Sequence, residues 1–132
     1  MNRVLFACVH NSGRSQMAEA FARHFSGGCS GFHSAGTRPV EAVNPLVVTV
    51  MNEKGIDISC KRPKLLTREM ISQVDRVITM GCSVEEACPV VNIPVEDWDL
   101  DDPAGKSIED VRKIRDQVED QVKNLFTQIS QR

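Results

Sequence analysis

The sequence predicts an α/β fold, a parallel sheet with helices on both faces. Three observations predict it. Short apolar runs alternate with segments of helical periodicity, the pattern of strand–helix–strand units whose strands pair in parallel. Asparagine, serine, proline and glycine punctuate the joins at the positions that start and stop helices. The first apolar run, in VLFACVHNSGRSQMAEAF (4–21), ends on a cysteine and passes through a small polar loop into a helical pattern. In open parallel sheets that junction, beyond the carboxyl end of a strand, is where ligands bind.

The elements follow in order. Residues 3–8 read as a short buried strand, and residues 15–26 carry Met17, Ala18, Phe21 and Phe25 at helical spacing. GFHSAGT (31–37) alternates as a second strand would. Asn44 and Pro45 form a helix start, an N-cap followed by proline in the first turn. Leu46, Val47, Val50 and Met51 give that helix one apolar face, and Gly55 ends it. Ile56 and Ile58 suggest a short extended piece, and Thr67 is placed to cap a short helix through Ile71. DRVITM (75–80) is the next strand, SVEEA (83–87) reads as a helical turn or two, and VVNIPVEDW (90–98) holds the last strand. Ser107 caps a long final helix with Glu109 and Asp110 in its first turn, where the helix dipole favours anions.

The 132 residues match one domain, long enough to bury a core without disulfides or metals. No repeat or linker divides residues 1–132. A net charge of −2 gives no nucleic-acid footprint, and no apolar run has the length of a membrane span. The stretch before the motif is too short for a signal peptide, so a cytoplasmic location is expected. Five cysteines, at positions 8, 29, 60, 82 and 88, are an odd count, which argues against a static disulfide framework. They show no Cys-x-x-Cys pair and no ligand spacing with His10, His24 or His33, so no structural metal is expected.

The loop Cys8-Val9-His10-Asn11-Ser12-Gly13-Arg14-Ser15 carries the chemistry. Successive backbone N–H groups in a tight loop form an anion nest, and the helix that follows adds its unpaired amides. Asn11 tolerates the left-handed region, and Gly13 permits positive φ or close backbone approach. Arg14 offers a planar fork for two oxygens of a tetrahedral anion. The same positive field favours a cysteine thiolate, and Ser15 is placed to donate a hydrogen bond to it. Among the carboxylates of EDWDLDDP (96–103), Asp102 precedes a proline, which restrains it to an extended conformation. A fixed carboxyl group there could protonate a leaving oxygen.

CVHNSGRSQMAEAF (8–21) resembles the active-site loop of the low-molecular-weight protein tyrosine phosphatase superfamily. HSAGT (33–37), GIDIS (55–59), VITM (77–80) and DDPAG (101–105) are similar to its landmarks in the same order. The resemblance covers nearly the whole chain and implies a four-stranded, flavodoxin-like three-layer sandwich. It implies Cys8 as nucleophile, Arg14 as oxyanion clamp and Asp102 as general acid.

Two functions share that scaffold. A phosphatase needs Cys8, Arg14 and Asp102 alone. An arsenate reductase binds a similar oxyanion and must also deliver two electrons. MGCSVEEACPV (80–90) resembles the segment that holds the second and third redox cysteines of the thioredoxin-coupled arsenate reductases. The resemblance implies a relay through Cys8, Cys82 and Cys88, with reduced thioredoxin as electron donor and no tightly bound cofactor. Five residues separate Cys82 from Cys88, where well-known members have six. Those members also bind potassium through positions that match Asn11, Glu19 and Ser34, and their fourth ligand, an aspartate, falls at the position of Lys64. A lysine there would take the cation's place beside Glu19, so potassium is not expected to be required. The chain has no tyrosine, whereas phosphotyrosine phosphatases of the family carry aromatic residues near the pocket rim. Small residues after Asp102 suit a small inorganic substrate. A phosphocysteine carrier domain is the alternative outside enzymes of this kind, and it needs neither Arg14 nor Asp102.

Overall fold

A computed structural model describes residues 3–28, 31–80 and 95–130. The elements are β1 (Val4–Cys8), α1 (Arg14–Phe25), β2 (Phe32–Gly36), α2 (Pro45–Asn52), α3 (Arg68–Ser72), β3 (Arg76–Thr79), β4 (Val95–Asp97) and α4 (Ile108–Ser130). The four strands form one sheet in the order β2-β1-β3-β4, and every pairing is parallel. Cys8 lies opposite Gly36, Ala7 opposite Thr79, and Thr79 opposite Asp97. The carboxyl ends of all four strands therefore share one edge, with Cys8 on a central strand.

Alternation along β1 assigns its side chains to two cores. Val4, Phe6 and Cys8 face the larger one, with Met17 and Phe21 of α1, Val47 and Met51 of α2, and Val111, Val118 and Leu125 of α4. Leu5 and Ala7 face the smaller one, with Ala35, Val74 and Val77, covered by Leu66, Met70 and Ile71. Helices thus lie on both faces. The expected caps form: Asn44 Oδ1 accepts the N–H of Leu46 at 2.9 Å, Thr67 Oγ1 that of Met70 at 3.2 Å, and Ser107 Oγ that of Asp110 at 3.3 Å. Gly55, with φ of 76°, closes the turn after α2.

Among the described residues, the piece that holds Ile56 and Ile58 pairs with no strand. Ile58 is buried in the larger core, while the free edge of β2 is met by a later segment. The N–H of Gly36 donates to Lys64 O at 2.8 Å, and the N–H of Leu66 donates to Gly36 O at 2.9 Å. The helical turn expected at SVEEA lies outside the described residues.

Candidate active site

The loop between β1 and α1 is held by its own carbonyl groups. Cys8 O accepts the N–H of Thr37 at 3.1 Å, Val9 O that of Arg38 at 2.8 Å, and His10 O that of Val40 at 3.3 Å. Asn11 O accepts Gln16 Nε2 at 3.2 Å. Ser12 O accepts the N–H of Asn44 at 2.9 Å, and Gly13 O that of Met17 at 2.9 Å. Six consecutive oxygens are thus anchored to the surrounding structure. In a planar trans peptide the following N–H points opposite to the carbonyl, so the N–H groups of residues 9–14 turn to the inner side. The N–H of Asn11 does so visibly, donating to Cys8 Sγ at 3.2 Å. Asn11 takes φ of 51° to make this turn, in the left-handed region its side chain tolerates.

Cys8 is buried, and its sulfur lies 2.8 Å from Ser15 Oγ. The direction of that bond follows from the neighbours. The backbone N–H of Lys64 donates to Asn11 Oδ1 at 2.8 Å, and a backbone amide can only donate. This fixes the Asn11 carboxamide, and its Nδ2 donates to Ser15 Oγ at 2.7 Å. Ser15 keeps its one proton for the sulfur. A thiolate at Cys8 would then accept from both Asn11 N–H and Ser15 O–H, and hydrogen bonds to an ionised acceptor are the strong ones.

Arg14 is 6% exposed. Its Nη1 donates to Leu100 O at 3.2 Å, and its Nη2 lies 3.7 Å from Asp102 Oδ2. Its Nε is buried and without a partner among the described residues, a donor that costs about 1–3 kcal/mol unless an acceptor meets it. Asp102 is held from its other side, where Oδ1 accepts the N–H of Ala104 at 3.0 Å. Of the five carboxylates in this loop, Asp102 is the one paired with Arg14. Asp97 instead accepts Thr79 Oγ1 at 2.7 Å, and Glu96 accepts the indole N–H of Trp98.

The cluster matched to a potassium site is differently filled. Glu19 is buried. Its Oε1 accepts Ser34 Oγ at 2.6 Å, and its Oε2 accepts Arg23 Nε at 2.8 Å, with Lys61 Nζ at 4.0 Å. Asn11 Oδ1 holds the Lys64 N–H and Gln16 Nε2, the latter at 3.1 Å. The donor oxygens face hydrogen donors and two side-chain cations, so these residues do not fit a bound potassium ion. The expectation for Lys64 is corrected on the same ground: it reaches the site through its backbone N–H, and Arg23 and Lys61 supply the charge. His33, near this cluster, titrates below the ordinary histidine value, chiefly through burial and then through the charge of Arg23.

Cys8, Asn11, Gly13, Arg14, Ser15 and Asp102 therefore converge, while the Val9 side chain packs into the smaller core. Cys82 and Cys88 lie outside the described residues, as does Cys29. Sequence reasoning missed Gln16, which ties Asn11 to Arg62 O at 3.3 Å. It also missed Arg23, although Glu19 and Arg23 stand at the i,i+4 spacing of helical ion pairs.

Comparison with known proteins places this geometry. Residues 3–132 match the family described as low molecular weight phosphotyrosine protein phosphatase. A glutaredoxin arsenate reductase of Synechocystis sp. is 39% identical over 132 residues, covering 98% of this chain and all of that protein. A solved structure of an arsenate reductase in a phosphate-binding state superposes with a TM-score of 0.87 at 38% identity, covering 98% of this chain and 99% of that one. A thioredoxin-dependent arsenate reductase of Corynebacterium glutamicum superposes with a TM-score of 0.85 at 36% identity. The match covers 98% of this chain but only 62% of that protein. The chain belongs to the low molecular weight phosphotyrosine protein phosphatase family.

Proposed function

We propose that the chain is an arsenate reductase that works through a relay of Cys8, Cys82 and Cys88 and is regenerated by thioredoxin. The observation that carries the proposal is the Cys8 loop: inward N–H groups, a buried guanidinium with an unpaired Nε, and a sulfur faced by two donors. A tetrahedral oxyanion satisfies those donors, and phosphate and arsenate share that shape. The arsenate reductases similar to this chain support arsenate as the substrate.

In this reading the N–H groups of residues 9–14 and Arg14 bind arsenate. The Cys8 thiolate attacks arsenic and forms an S–As bond. Asp102 protonates the departing oxygen, which leaves as water. The Cys82 thiolate then attacks Cys8 sulfur. An S–S bond forms, the S–As bond breaks, and its electron pair stays on arsenic, which is released as arsenite. Attack of the Cys88 thiolate on Cys82 frees Cys8 and leaves Cys82–Cys88 for the thioredoxin dithiol to reduce. The N–H of Met80 donates to Ala7 O at 2.7 Å, beside Cys8. Cys82 follows Met80 at this strand end by two residues in the sequence, which supports Cys82 as the attacking thiol. A cytoplasmic location fits this reading, since thiols are kept reduced there.

The family's own description favours a second reading, hydrolysis of phosphate monoesters through a Cys8 phosphocysteine. One experiment separates the two: arsenate with thioredoxin, thioredoxin reductase and NADPH, beside aryl-phosphate hydrolysis. Arsenate-dependent NADPH oxidation over many turnovers is expected. Ester hydrolysis without it would make the protein a phosphatase.

A further inference from the structure

We propose that Gly13 is a positioning residue for Asp102, acting through the ring of Pro103. A Cβ built on Gly13 would lie 2.5 Å from Pro103 Cγ and 3.3 Å from Pro103 Cδ, with Val47 Cγ2 at 3.7 Å on another side. Gly13 takes φ of −144° and ψ of −91°, and the crowding by Pro103 is a second reason why this position carries no side chain. The proline ring rests directly on the oxyanion loop.

That ring cannot swing aside as a long side chain would. A change of pucker moves Cγ alone, while Cδ, also inside ordinary contact distance of the built Cβ, is bonded to the Pro103 nitrogen, which closes the peptide from Asp102. Relief beyond a change of pucker therefore moves the Asp102 backbone. Ordinary contact with a Cβ at Gly13 requires a shift of about 1 Å, and a misplacement of that size can cost about 10²-fold in rate. The remaining anchors are weaker. The Arg14–Asp102 separation is 3.7 Å with the aspartate side chain 44% exposed, and Arg14 Nη1 grips the backbone two residues earlier, at Leu100 O. Gly13 thus sets how far the carboxyl group stands from an oxygen leaving the Cys8 loop.

The proposal rests on Asp102 acting as the general acid. The test uses the full chain and measures two quantities. One is the single-turnover rate of arsenate consumption. The other is the affinity for inorganic phosphate, read from protection of Cys8 against iodoacetamide. Gly13→Ala is expected to slow the chemical step on the order of 10²-fold and to weaken phosphate binding by much less, since it removes none of the N–H donors of the loop. Adding Asp102→Asn to Gly13→Ala is expected to cost less than about threefold more, because the two losses share one cause. Adding Pro103→Ala is expected to return about tenfold of the lost rate by clearing the clash.

Losses from Gly13→Ala and Asp102→Asn that multiply would overturn the proposal. A fall in phosphate affinity as large as the fall in rate would overturn it too. Asp102→Asn at the unaltered rate would instead remove the general-acid reading beneath it. If Gly13→Ala does not fold, Pro103→Ala alone still decides: an Asp102-dependent loss of about tenfold is expected, and an unchanged rate overturns the proposal.

Discussion

Arg23 Nε stands 2.8 Å from the buried carboxylate of Glu19, one helical turn earlier on the same helix. The protein carries its own cation at the position where relatives are expected to take one from solution. Activity and thermal midpoint are therefore predicted to be nearly the same in sodium and potassium salts at matched ionic strength. In Arg23→Ala the buried carboxylate keeps Ser34 and the more distant Lys61, so the midpoint should fall and become sensitive to potassium. Potassium-specific activation of the unaltered protein would contradict this.

Ser15 is predicted to matter through its proton. Ser15→Ala removes one of the two donors facing Cys8 Sγ, a bond to a charged acceptor worth about 1.5–3 kcal/mol. Alkylation of Cys8 by iodoacetamide at neutral pH should slow by at least about tenfold. Ser15→Thr, which keeps the hydroxyl, should recover most of it.

Cys8→Ser is predicted to abolish arsenate reduction and ester hydrolysis while still binding phosphate, because the N–H groups of the loop remain. Arg14→Ala should weaken phosphate binding as well, since it removes the buried guanidinium. Calorimetric titration with phosphate separates the two losses.

Asp102→Asn is predicted to slow ester hydrolysis by on the order of 10²-fold, as loss of a general acid does. Arsenate reduction should also slow. If both rates stand, Asp101 is the next carboxylate to replace.

Much of the fold was legible in the sequence because its signals are local. The caps at Asn44, Thr67 and Ser107 each depend on residues two or three positions away. The Cys8 loop was equally legible, since strand, loop and helix start are contiguous. What the sequence hid are contacts between distant segments. Lys61 and Lys64 are three residues apart in a basic run, and no local pattern says which one turns its ammonium toward Glu19. Gln16 looked like any polar helix residue, yet it is buried against Asn11 and Arg62. Ile56 and Ile58 suggested an extended piece, but nothing local says that the edge of β2 is bonded to Lys64 and Leu66 instead.

The relay is tested most directly by arsenate turnover in Cys88→Ser, followed by non-reducing peptide mass mapping. Without the third thiol the second attack still occurs, so one arsenite is predicted per protein molecule. The chain should then stall as a Cys8–Cys82 disulfide. Cys82→Ser should release none while keeping ester hydrolysis. Full multiple-turnover arsenate reduction with thioredoxin in both variants would contradict the three-cysteine relay.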